Sequence, residues 1–193
     1  MISEKKSGAT FAMLGLIAAS LFFVLMVLAI ADGSDWVLGE DLIEVLAGSD
    51  AGVYLNSGIA LGGILLAFAS IGMVFDGGRR AKTAEGVLLM ISGILLVWVA
   101  FFEPENLVHD AAVILVFVTF VFAMIASMYD DFMDNRSMMF GALTVFLTII
   151  SIGAYFAYDV AMYQMVWIVA AAVWIIARSA KGLMHEPTIN KRK

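Results

Sequence analysis

Charged residues are sparse along this chain, and between them lie six long uncharged stretches, residues 9–31, 51–75, 86–102, 111–129, 138–158 and 160–177. A helix rises about 1.5 Å per residue and needs roughly 20 apolar residues to cross the roughly 30 Å hydrocarbon core of a bilayer. Each stretch meets or nearly meets that length. Lipid offers the peptide group no hydrogen-bond partner, so a spanning segment satisfies its own backbone as a helix or joins a closed barrel. These stretches are too long and too uniformly apolar for barrel strands. The pattern predicts an all-α polytopic transmembrane bundle of six helices, one membrane domain over residues 1–193, with the last two spans in a tight hairpin around Asp159. The first stretch exceeds the roughly 7–15 apolar residues of a secretory signal. Lys5, Lys6 and Ala29-Ile30-Ala31 therefore read as parts of a retained anchor and not of a cleaved leader.

Composition agrees. The chain is 63% apolar and 15% charged, with a mean hydropathy of +0.98. Water-soluble domains are about 45–50% apolar and about a quarter charged, so that class is excluded. Six spans put both termini and the second and fourth loops on one side. That side collects all 11 Lys and Arg residues. The other side holds none, but carries Asp32, Asp35, Glu40, Asp41, Glu44, Asp50, Glu103, Glu105, Asp110 and Asp159. Lys and Arg near spans stay cytoplasmic, which predicts a multi-pass cell-membrane protein with both termini in the cytoplasm. The net charge of −6 belongs to the outer face and argues against nucleic-acid binding, which needs a clustered basic surface. With no cysteine, disulfide and thiolate chemistry are excluded.

The first outer loop interleaves Trp36, Leu38, Leu42, Ile43, Val45 and Leu46 with Glu40, Asp41 and Glu44, a pattern that approximates a short amphipathic helix. It either lies in the interface with Trp36 as anchor or forms a lid over a pocket. Gly58 and Gly62 form a GxxxG face, which serves packing inside the chain or else a membrane-protein partner or homodimer. Membrane lipids are the other expected partner.

No ionisable residue lies in the middle of any stretch, which weighs against proton relays and ion-coupled carriers. Thr144, Thr148, Ser151 and Tyr155 form one stripe on the fifth span, read as hydrogen-bonding to carbonyls or neighbouring helices, with a narrow polar cavity as the alternative. His109 stands in an acidic loop with Glu103, Glu105 and Asp110. It reads as a solvated loop with Asp110 complementing a helix dipole, as a headgroup- or partner-recognition element, or as an acid/base or metal site without the fixed spacing of a zinc motif. Asn56, His109, Asp110 and Gln164 form a speculative outer ligand pocket. Arg79, Arg80, Arg178 and Lys181 read as topology charges, residues 76–80 as a turn, and His185 as part of a solvated tail. No nucleophile sits in a catalytic setting, and no motif implies a cofactor or resident metal.

Three segments carry a family resemblance. They are Val53-Tyr54-Leu55-Asn56-Ser57-Gly58, then Phe101-Phe102-Glu103-Pro104-Glu105-Asn106 with His109 just after, then Tyr163-Gln164-Met165-Val166-Trp167 followed by Trp174. Their order, over nearly the whole chain, resembles the prokaryotic six-helix membrane proteins of domain-of-unknown-function family 998. The match departs at Val45-Leu46-Ala47-Gly48, where a Ser-x-Leu-Gly turn is expected. The resemblance implies six spans and a plasma-membrane location, and no catalytic residue, because the family lacks an assigned activity. The resulting expectation is a non-enzymatic lipid-contacting or accessory protein. The alternatives are a lipid-modifying enzyme or lipid carrier with an outer-leaflet pocket, and a small-solute transporter or channel.

Overall fold

The computed structural model describes residues 4–33, 35–75, 79–103, 106–134 and 137–184. The turn at 76–78, Glu105, Arg136 and His185 lie outside these. Among the described residues, seven helices are formed: α1 Glu4–Asp32, α2 Ile43–Ala47, α3 Gly52–Phe75, α4 Arg80–Phe101, α5 Leu107–Phe132, α6 Met138–Ala157 and α7 Val160–Met184. Six of them are long and apolar enough to cross a membrane, and no strand occurs among the described residues. The chain is thus a multi-span membrane-type helical protein. Each long helix packs on its neighbour in the chain, and α1 meets α7, so the six close into a ring.

Helix ends follow local chemistry. The side chain of Asn106 accepts from Val108 N at 2.9 Å and caps α5, while Asp110 sits in the first turn, where it complements the helix dipole. Asp159 accepts from Met162 N at 3.0 Å and turns the chain from α6 into α7. Gly39, at φ +83°, makes the turn ahead of α2.

Four helices overrun their uncharged stretches, α1 among them from Glu4 to Asp32. α4 begins at Arg80, α5 runs from Leu107 to Phe132, and α7 continues to Met184. Glu85, Asp131 and Arg178 are therefore helical and buried, where the sequence pattern had assigned them to helix ends and loops.

Small side chains set the spacing of the ring. Ala12, Ala18, Ala19 and Ala29 of α1, Ala69 of α3, and Ala170, Ala171 and Ala172 of α7 are buried. Without a hydrophobic drive between helices in lipid, such residues allow the close backbone approach from which packing gains its energy. Gly58 and Gly62 face α1: a Cβ on Gly58 would lie 3.1 Å from Leu25 Cβ, and one on Gly62 would lie 3.7 Å from Ala18 O. The GxxxG face is thus occupied within the chain.

In the stripe on α6 the two threonines bond to their own helix, while Ser151 Oγ is buried without a partner among the described residues. Thr144 Oγ1 donates to Phe140 O at 2.9 Å, and Thr148 Oγ1 donates to Thr144 O at 2.7 Å. Trp174 Nε1 of α7 donates to Thr144 Oγ1 at 3.2 Å, which ties the two helices together. The larger core cluster, with Met73, Leu89, Met124, Leu147 and Trp174, fills the ring toward the end where Arg80 and Lys181 lie. We call this the basic end. The opposite end, bearing α2, is the acidic end.

Candidate functional site at the acidic end

Packing is incomplete above that core. A cavity of about 400 Å³ opens at the acidic end, within the roughly 300–1,000 Å³ of small-molecule sites. Asn56, His109, Asp110 and Gln164, which come from α3, α5 and α7, all line it. A polar branch of about 170 Å³ leads from Asn56 and His109 toward Glu103. A narrower apolar limb of about 100 Å³ adjoins it on the inner side, sharing Phe22, Ile59, Leu96, Val116, Trp167 and Ile168. From Val160 at the rim to Ile175 in the limb, the lining follows α7 for 15 residues, about 22 Å at 1.5 Å per residue.

The four side chains do different work. Asn56 Nδ2 donates to Ala47 O at 3.2 Å, gripping the end of α2. Gln164 grips its beginning: Ile43 N donates to Gln164 Oε1 at 3.1 Å, and Gln164 Nε2 donates to Glu44 Oε1 at 3.1 Å. Two amides, one from α3 and one from α7, thus strap α2 over the cavity. Leu46 is buried beneath it against Met26, Ala29, Ala51 and Leu55. The helix covers five residues, shorter than the amphipathic pattern spans. The preceding segment turns back instead, with Trp36 Nε1 donating to Leu42 O at 3.1 Å and Val37 N to Asp41 Oδ2 at 2.8 Å.

His109 is not in a solvated loop. It lies in the first turn of α5, 3% exposed, with Nδ1 3.5 Å from Asp110 Oδ1. Asn106 starts the helix early enough to turn the ring inward. Among the described residues, no three His, Asp or Glu side chains assemble as a metal site.

Aromatic rings, which the apolar pattern does not single out, form one wall. Tyr155 of α6 meets Tyr163 of α7 at 5.4 Å, and Phe117 of α5 meets both Tyr163 and Trp167 at 5.8 Å. The edge-to-face series continues through Phe120 to Trp174. Trp167 Nε1 is buried without a hydrogen-bond partner among the described residues. At the rim, Ile114, Tyr155 and Val160 are about 60% exposed while lining the cavity, so its side opening between α5, α6 and α7 has an apolar edge.

One turn of α7 below Ile175, a buried ion cluster floors the ring. Arg178 donates through Nε and Nη2 to the two oxygens of Glu85 at 2.6 and 2.5 Å, and through Nη1 to Asp131 Oδ1 at 2.9 Å. Lys181 pairs with the same Asp131 oxygen. Sequence reasoning took these cations as topology charges and missed the cluster. The usable hint was that Glu85 and Asp131, on the basic side, stand at the same ends of their spans as Arg178.

No curated protein and no solved structure matches the chain. Residues 16–181 match the family described as "Protein of unknown function (DUF998)". A match running from α1 through α7, across all six spans and the cavity they enclose, makes the chain a member of the DUF998 family.

Proposed function

We propose that this is a non-enzymatic cell-membrane protein that holds a lipid-like amphiphile in a cavity open to the outer leaflet, with both termini cytoplasmic. The observation that carries the reading is the cavity's gradient, from carboxylates, amides and His109 at its mouth to an almost wholly apolar limb. A headgroup fits the first and an acyl chain the second, and the apolar rim on α5, α6 and α7 would let a chain enter from lipid. The described lining offers no serine, threonine or cysteine for a nucleophilic step, which favours holding or carrying over chemistry. The orientation follows from the segregation of Lys and Arg.

Chain entry is tested by exchanging the protein into a maltoside detergent brominated on its alkyl chain. Emission from Trp167, isolated as the difference between wild type and Trp167→Phe, should be strongly quenched, and Ala171→Phe, which fills the limb, should relieve the quenching. Unquenched Trp167 alongside quenching of half-exposed Trp98 overturns the proposal. Orientation is tested on the cysteine-free chain with single thiols. In intact cells an impermeant maleimide should label Glu40→Cys and spare Arg80→Cys, and the reverse pattern inverts the topology.

A further inference from the structure

We propose that the amphiphile carries a protonated amine headgroup, an inference that rests on the amphiphile-binding reading and narrows it. The acidic and basic side chains lining the main cavity and its branch, His109 aside, are carboxylates: Glu44, Glu103 and Asp110. Among the described residues of the acidic end there is no Lys or Arg. In a site walled by protein and hydrocarbon, charges interact far more strongly than in water. An anionic headgroup would meet like charge with nothing to offset it, and a cation would meet the opposite charge.

His109 supplies an independent observation. Its side chain is 4% exposed, it lines both the cavity and the branch, and its Nδ1 is turned to Asp110. With the proton on Nδ1, Nε2 is an acceptor that no group among the described residues satisfies. That acceptor is left for whatever occupies the cavity that His109 lines, which must then supply a donor. An ammonium N–H is such a donor, whereas a carboxylate or phosphate diester has none to give. The tyrosine and tryptophan rings that line the same cavity from α6 and α7 add the π surface that attracts ammonium groups. The ligand class is thus an amine-headed amphiphile with an apolar chain.

The test titrates dodecylamine, dodecanol and dodecanoate, equal in chain length, into the protein in a neutral maltoside. Dodecylamine should bind about tenfold more tightly than dodecanol, with dodecanoate weakest. Glu44→Gln with Asp110→Asn, and separately His109→Phe, should erase the amine preference while dodecanol binding persists. Repeating the dodecylamine titration in phosphatidylglycerol nanodiscs, with and without phosphatidylethanolamine, distinguishes the source of the amine. Competition identifies a bilayer headgroup, and undiminished binding a free amine. If wild-type protein binds dodecanol or dodecanoate as tightly as dodecylamine while brominated detergent still quenches Trp167, the amine assignment is overturned and amphiphile binding stands. The wild-type series decides this even if a variant fails to fold.

Discussion

Arg178→Leu should lower the stability of the detergent-solubilised bundle by about 3–5 kcal/mol, the range found when one partner of a buried ion pair is removed. Glu85 and Asp131 are fully buried and Arg178 is 9% exposed. Removing the guanidinium leaves two carboxylates facing each other with Lys181 alone for balance. Most of the loss comes from those abandoned charges, not from the missing attraction. Two controls separate the contributions. Arg178→Lys keeps the charge but cannot reproduce the two-pronged contact with Glu85, so its loss should be intermediate. The quadruple change Glu85→Gln, Asp131→Asn, Arg178→Gln and Lys181→Gln removes all four charges together, so none loses its partner, and should recover much of the stability. Reversible unfolding in mixed micelles with increasing dodecyl sulfate measures all three. If Arg178→Leu unfolds within about 0.5 kcal/mol of wild type, the size of an ordinary surface substitution, the cluster does not hold α4, α5 and α7 together.

That cluster also marks where sequence reasoning reaches its limit. Six spans are legible because the bilayer imposes a length and excludes charge, and both constraints act on composition within a window. Helix ends are not legible in the same way. A helix does not stop where hydrophobicity stops: α4 begins six residues before its uncharged stretch and α7 ends seven beyond its own, at Met184. Arg178 and Glu85 lie far apart in sequence, and a charge at the edge of a span looks the same whether it snorkels to water or turns inward to a partner. The site at the acidic end is partly legible for a related reason. Asn56, His109, Asp110 and Gln164 stand out as polar residues beside one end of the bundle, and the ring's alternation of direction brings them to one cavity. Their division of labour is set by α2, whose backbone takes up Asn56 and Gln164. Tyr155 is visible in the sequence as the end of the polar stripe on α6, but its place in the aromatic wall with Tyr163 and Trp167 emerges only once helix rotation fixes which of them face inward.

Gly93→Ala should be the most damaging single-methyl addition along the α3–α4 seam, costing about 1–3 kcal/mol as overpacking does in tight cores. α3 and α4 touch backbone to backbone where Gly63 faces Gly93. A Cβ on Gly63 would lie 2.6 Å from Gly93 O, and one on Gly93 would lie 2.5 Å from Gly63 O and 2.8 Å from Ala67 N. These are main-chain atoms that no rotamer change can move, so the helices must separate, losing dispersion contacts along the whole seam. The visible GxxxG motif predicts a different ranking. Gly62, its second member, has 3.7 Å to its nearest neighbour, an ordinary contact, so Gly62→Ala should be mild. Gly153 on α6 has nothing within 4 Å, and Gly153→Ala should be neutral or stabilising by up to about 1 kcal/mol through helix propensity alone. Melting temperatures of the four purified variants, Gly63→Ala included, test the order. Gly93→Ala and Gly63→Ala should fall lowest and Gly153→Ala highest. If Gly93→Ala melts with Gly153→Ala, the α3–α4 seam is looser than this contact requires, and the GxxxG face toward α1 becomes the seam that limits stability.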